Sequence, residues 1–411
     1  MLLDRIKNFI PSGIMLISMN SGENPFLFGA LALDDAFADR KQEIDELASD
    51  IRNGQDVVVF APRRFGKSSL ICAAVRKLAK DGLLVAQVDL MTTPTKERLA
   101  AALAGAIYEQ VASPLERAWE KATAPFRRLR LQPAMSLDPQ TGAVGFSFAA
   151  AREPADIDAT IEQLLELPAE LGADGGRQVA LVFDEFQEIV DIDPRLPRLL
   201  RAIFQRQPQV AHVYLGSRRH VMKRIFNDHN EPFWRSAKPM ELDLIPVEEF
   251  SRFLVERLEA TGRVSDSAVI ARLLALTGGH PHATQELAYF LWEQTPEGAT
   301  ASEARFVAAL DAVLRAERSH FTLLWEEAAT VQRLVLQALA REPGHPQTKA
   351  YRDRHGLPSA ASVQKALRAL EQREVVAGER GAYRIVEPFL AEWLRASIAG
   401  VAEAPSASRH P

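Results

Sequence analysis

The chain has a single cysteine in 411 residues, Cys72, so no internal disulfide framework can form, and a reducing compartment, the cytoplasm, fits the composition best. Cys72 falls among the apolar positions of a predicted helix, where it reads as a small buried hydrophobe rather than a reactive thiol. Long apolar runs are also missing. No stretch reaches the roughly 20 residues that a membrane-spanning helix needs, so no membrane contact is expected. Arg5 and Lys7 precede a short apolar run at residues 14–19, but Pro11-Ser12-Gly13 interrupts the pattern, so residues 1–23 read as a leader or alternative start and not as a signal peptide. Neither sign of charge predominates: 49 basic residues face 54 acidic ones, for a net charge of -5, and any contact with nucleic acid must come from a local patch. His280 and His282 lack the accompanying cysteines or carboxylates of a metal centre. What remains, 47% hydrophobic and 25% charged, is ordinary globular composition, and the length exceeds what one core supports, so two or three domains are expected.

The most informative stretch runs from Asp56 to Leu70. Asp56-Val-Val-Val-Phe60 is a β-branched run suited to a buried parallel strand. Residues 68–80 carry Leu70, Ile71, Ala74, Val75 and Leu78 at helical spacing, with Gly82 where a C-cap would fall. Between them lies Ala61-Pro62-Arg63-Arg64-Phe65-Gly66-Lys67-Ser68-Ser69. A loop joining such a strand and helix leaves backbone N–H groups directed outward at the positive end of the helix dipole, which cradles phosphate. Lys67 would reach the β- and γ-phosphate oxygens, and Ser68 would ligate Mg²⁺. The first glycine of the usual P-loop pattern is Ala61 here, so that position must keep an ordinary, negative φ.

A second strand ending in Asp89, a helix over residues 96–110, a helix over 157–171 and an apolar strand over 179–183 continue a β-α alternation, which implies a parallel sheet covered on both faces. The last of these strands delivers Asp184 and Glu185 at its C-terminal end, where open α/β sheets bind ligands. Beside a P-loop, Asp184 would hold the metal through water and Glu185 would orient and deprotonate the attacking water. A fourth strand, residues 212–215, ends in Gly216-Ser217-Arg218-Arg219, and Ser217 or an adjacent arginine is a candidate for touching the γ-phosphate. Arg235, ahead of a fifth strand at 240–244, is a candidate charge-stabilising arginine within the chain or across a subunit contact, the alternative being a structural salt bridge. Residues 113–154 interrupt the pattern. Arg127, Arg128 and Arg130 cluster there, and two short strands flank Asp138-Pro-Gln-Thr-Gly142, so a β-hairpin insertion is expected, either decorative or binding a protein partner.

From Pro246 the pattern becomes helical. Gly278-Gly279-His280-Pro281 reads as a turn opening a helix whose N-terminus can also face phosphate. Helices at 330–339, 347–355 and 359–372, followed by a hairpin turning at 378–381, outline a winged helix-turn-helix. Its third helix places Val363, Ala366, Leu367 and Leu370 on one face and Gln364, Lys365 and Arg368 on the other. Residues 341–384 hold nine Lys/Arg against five Asp/Glu, a local balance of +4, which favours contact with double-stranded DNA through Lys365, Arg368 and the hairpin residue Arg380. Winged helices also dock proteins, so both partners stay open. The tail from 401 has the composition of a disordered segment.

With these motifs in this order, the sequence resembles an AAA+-related P-loop ATPase of the STAND class, close to the "archaeal ATPase" family that bacteria also carry. The resemblance covers about residues 24–395. Asn24-Pro-Phe with Phe37-x-x-Arg40-x-x-Glu43 resembles the family's opening motif, near the adenine; Ala61 to Ser68 its phosphate loop; and Val182-Phe-Asp-Glu-Phe-Gln-Glu188 its metal and base strand. Gly216-Ser217 resembles its first sensor, and Gly278-Gly279-His280-Pro281 its lid turn. The resemblance implies an ATPase with ATP and Mg²⁺ as cofactors, Arg40, His280 and Pro281 lining the nucleotide site, and the Ser217 strand lying between the P-loop strand and the Asp184 strand. It also implies slow hydrolysis that switches contacts with a partner or with DNA, as a monomer or homo-oligomer. Replication-initiator relatives carry an arginine where this chain has His280-Pro281-His282, which favours the switch class over a loader. The expected order is thus a leader (1–23), an AAA+/ASCE-like P-loop ATPase domain (24–245), an α-helical lid (246–320), a winged helix (321–400) and a tail (401–411). Two further readings are a DNA-binding regulator in which ATP only sets conformation, and a protein-interaction scaffold.

Overall fold

A computed structural model describes residues 23–29, 40–112, 132–137, 144–149 and 157–403. Most of the leader, Phe37, the Arg127–Arg130 cluster, the turn of the inserted hairpin and the tail from 404 lie outside the described residues. The chain forms two units: residues 40–243, and residues 23–29 together with 244–403.

The first unit is built on five parallel strands: β1 (Val57–Phe60), β2 (Leu84–Asp89), β5 (Val179–Asp184), β6 (Val210–Gly216) and β7 (Lys238–Glu241), in the order β2-β5-β6-β1-β7. β6, which ends just before Ser217, therefore lies between the P-loop strand and the Asp184 strand, as the resemblance implied. Every residue of β1 and β6 is buried, because helices cover both faces and leave no solvated side for polar residues. Val58 and Phe60 pack into a core with Leu181, Phe183, Leu103 and Leu164, while alternation turns Val57 and Val59 to the opposite face. β7 is an edge strand, and its Pro239 and Lys238 suit an edge that must not recruit another strand.

The insertion contains the expected antiparallel pair, β3 (Gln132–Leu137) with β4 (Val144–Ala149), as a separate two-stranded sheet.

The second unit is helical up to the hairpin β8 (Val376–Glu379) and β9 (Ala382–Ile385). Residues 23–29 belong to it and not to the sheet unit. Asn24 Nδ2 donates to the Tyr289 carbonyl at 3.1 Å, and the Phe28 ring meets Tyr289 with 5.1 Å between centroids. A boundary drawn from sequence order misses this, because the segment packs on a helix more than 250 residues away. The helices Thr330–Arg341, Lys349–His355 and Ala360–Gln372, with the hairpin, form the winged helix, and Gly344 pairs with Tyr383 to add a bridge to it. The last helix, Pro388–Glu403, runs past position 401, where the tail was expected to begin.

Candidate active site

The P-loop joins β1 to the helix Lys67–Lys80. Left-handed backbone angles fall at Arg64 (φ 64°) and Gly66 (φ 82°), not at Ala61, so alanine is accommodated without strain. Gly66 brings no side chain to cap the helix, and the first turn holds no acidic residue, which leaves the helix N-terminus suited to an anionic ligand. Lys67 Nζ donates to the carbonyls of Ala61 and Pro62, both at 3.1 Å, so the ammonium lies over the loop. Ser68 is half-buried, Ser69 and Phe65 are buried, Pro62 is half-buried, and Arg63 and Arg64 are exposed. Arg40 is buried, and its guanidinium donates to the Phe65 carbonyl at 3.4 Å, the Asp243 carbonyl at 2.7 Å and Glu43 at 2.9 Å. Among these contacts Arg40 acts on the backbone of the P-loop, a role that its sequence position near a predicted adenine site did not disclose.

Opposite, β5 ends in Asp184, and Glu185 adopts a left-handed conformation (φ 51°). Asp184 Oδ1 accepts the Glu185 N–H at 2.9 Å, and the fully buried Phe186 anchors the turn in an aromatic cluster, 4.7 Å from Tyr214 and 5.3 Å from Phe233 between centroids. Such a backbone costs about 1–3 kcal/mol and persists only where its surroundings fix it. The two acids then diverge. Burial, with the charges of Glu185 and Asp89, pushes Asp184 up to about 6. Burial raises Glu185 too, but hydrogen bonds from Gln187 and Ser217 and the charge of Lys67 outweigh it, and its carboxyl lies below the usual value. Ser217, fully buried, donates its hydroxyl to Glu185 Oε2 at 2.7 Å.

Sequence reading passed over two features. Asp89, in register with Asp184, adds a third carboxylate whose proton affinity is raised by burial and by Glu185 and Glu188. Its signal was available: it too ends an apolar strand at the C-terminal edge. Gln187 donates to both Glu185 and Glu188, and Arg218 is paired with Glu188 at 2.5 Å and Asp191 at 3.1 Å. No local signal announced these pairings.

Arg235 is exposed, left-handed (φ 50°) and 5.4 Å from the Trp234 ring centroid; no salt bridge accounts for it among the described residues. In the second unit, His280 accepts the Ala283 N–H on its ring Nδ1 at 3.3 Å and caps the helix Pro281–Glu293, with Pro281 in the first turn. Gln364, Lys365 and Arg368 are exposed on the helix Ala360–Gln372, whose buried face is Val363, Ala366, Leu367 and Leu370. Arg380 is exposed beside Gly381 in the hairpin turn, both at positive φ as a two-residue turn requires.

The residues expected to ligate a cation, Ser68 through its hydroxyl and Asp184 through its carboxylate, both offer hard oxygens. No group of three or more His, Cys, Asp or Glu forms a metal cage among the described residues. That set fits Mg²⁺, which takes one or two protein oxygens and completes its shell with water and phosphate. The crowding of Asp184, Glu185 and Asp89, which raises the Asp184 proton affinity, is what a divalent cation would relieve.

Residues 37–287 match the family described as "ATPase domain predominantly from Archaea", and residues 319–396 match the family described as "Probable winged helix domain". No curated protein matches. Among solved structures, the Walker-type ATPase PABY2304 of Pyrococcus abyssi superposes with a TM-score of 0.62 at 16% identity, over 89% of this chain and 97% of that one. The ORC2 protein of Aeropyrum pernix in its ADPNP–ADP complexes superposes with a TM-score of 0.52 at 15% identity, over 90% of this chain and 96% of that one. At these identities the likeness is one of fold.

Proposed function

The chain belongs to the family of ATPase domains found predominantly in Archaea, and from that premise we propose that it is a slowly hydrolysing ATP switch of the STAND class that passes its nucleotide state to duplex DNA through the winged helix. That it is an ATP-hydrolysing P-loop enzyme follows from the family match. The switch reading is carried by one observation: Lys67, Asp184, Glu185 and Ser217 meet at the C-terminal ends of adjacent strands, with Glu185 hydrogen-bonded to Ser217.

In this reading the P-loop N–H groups and Lys67 hold the β- and γ-phosphates. Ser68 and Asp184 would hold Mg²⁺, which supplies charge neutralisation at the phosphates. Glu185 takes a proton from the attacking water, and Ser217, bonded to Glu185, reports on the γ-phosphate position. Arg40 ties the P-loop carbonyl of Phe65 to Asp243, the last residue of the sheet unit, so a movement of the loop reaches the point where the chain leaves that unit. Residues 246–320 serve as the lid and 321–400 as the winged helix. The exposed Arg235 suits an arginine donated across a homo-oligomer contact. Lys365, Arg368 and Arg380 contact DNA phosphates. The single cysteine suits work in the cytoplasm.

The experiment is ATP turnover of the full chain and of Glu185→Gln. Loss of on the order of 100-fold or more in kcat with ATP binding retained is the expected result. Unchanged turnover removes Glu185 as the base.

A further inference from the structure

Gln187 lies two residues beyond Glu185, at 1% exposure, and the reaction as described above makes no use of it. Its Nε2 is 2.5 Å from Glu185 Oε2 and 3.3 Å from Glu188 Oε1. With a carboxylate as each partner, the amide must face them with its nitrogen. The amide oxygen is buried without a partner among the described residues. A methionine would fill the same volume without that cost, so packing alone does not account for glutamine here. The neighbouring strand is shaped to admit it: a Cβ on Gly216 would stand 2.6 Å from Gln187 Oε1 and 2.5 Å from the Met222 side chain.

We propose that Gln187 is a positioning residue for ATP hydrolysis, setting which oxygen of Glu185 acts as the base. The inference rests on Glu185 being that base. Gln187 Nε2 at 2.5 Å, Ser217 Oγ at 2.7 Å and Ser217 N at 3.3 Å all converge on Oε2. An oxygen that accepts three donors is a poor proton acceptor. Oε1 receives none of the three and is left to take the proton. Water then loses its proton to Oε1 as its oxygen bonds to the γ-phosphorus, and the bridging P–O bond breaks with its electron pair leaving on ADP. Gln187 is itself held from the far side. Glu188 Oε1 accepts both Gln187 Nε2 and Arg218 Nη2, and Arg218 reaches Asp191 at 3.1 Å, so the amide is tied to residues that follow both β5 and β6.

The test is steady-state ATP hydrolysis by the full chain carrying Gln187→Met, alone and combined with Glu185→Gln. The expected result is a fall in kcat of about 10- to 100-fold, a part of what the base itself contributes, with KM for ATP within about 2-fold. In the Glu185→Gln background Gln187→Met should cause no further fall, because it acts through Glu185. Wild-type kcat in Gln187→Met, or the same fold loss in both backgrounds, overturns the inference. Wild-type turnover in Glu185→Gln overturns the base assignment and this inference together, and that single variant separates the two failures. Gln187→Asn keeps the amide but is one methylene short of Glu185. It should reproduce the kcat loss, and it decides the matter if the methionine variant fails to fold.

Discussion

Asp184 and Glu185 are adjacent in sequence and differ in proton affinity because one carboxylate lacks donors that the other has. Asp184 is raised to about 6, above the unfolded value of roughly 4, so folding favours its protonated form. The stability it contributes is fully present below about pH 4 and is lost as pH rises through 6. At neutral pH the charged Asp184 therefore costs stability. Asp184→Asn should raise the melting temperature of the nucleotide-free protein, by an effect on the order of 1 kcal/mol, while abolishing ATP turnover. A melting temperature that falls would contradict the electrostatic account. The identities of Lys67, Ser68, Asp184 and Glu185 were legible in the sequence because their chemistry is stated by local pattern: loop between strand and helix, acids at a strand end. Asp89 was legible as the end of an apolar strand but not its register with Asp184, and Gln187 and the partners of Arg218 were not, because their contacts depend on a turn in which Glu185 is left-handed.

At the scale of the element, glycine marks the turns on which the second unit depends. Gly279 has φ 75°, and a Cβ there would stand 2.5 Å from the Ile245 carbonyl, which is backbone and cannot swing away. Gly279→Ala should destabilise the second unit by roughly 2 kcal/mol or more, read as an earlier thermal transition, whereas Gly298→Ala, at φ 75° but with nothing within 4 Å, should cost about 1 kcal/mol. Equal effects would remove the steric argument. The helix Lys67–Lys80 makes a second prediction. Burial pushes the Cys72 thiol up to about 11, so alkylation of the folded protein at pH 8 should be slower than that of the denatured chain by on the order of 100-fold. Comparable rates would place Cys72 at the surface. Apolar periodicity showed the strands and helices well, since β1 and β5 are buried on both faces. Their limits were less legible: β7 spans Lys238–Glu241, not 240–244, because an edge strand alternates less clearly with solvent on one side.

For the whole molecule, the order of units could be read, but the packing of residues 23–29 with the second unit could not, since hydrogen bonds across more than 250 residues leave no local trace. Residues 341–384 carry a local balance of +4 in a chain of net charge -5, and the DNA contact proposed for the winged helix is tested there. Lys365→Ala or Arg368→Ala should each weaken duplex binding and lower the slope of log K against log salt by about 1, in a titration from low to moderate salt. Binding indifferent to salt would point to a protein partner for that face. The measurement that bears most directly on the account is phosphate release from ATP by the full chain and by Glu185→Gln, each with and without duplex DNA. Turnover that depends on Glu185 and changes with DNA is the predicted result; turnover indifferent to both would contradict the coupled switch.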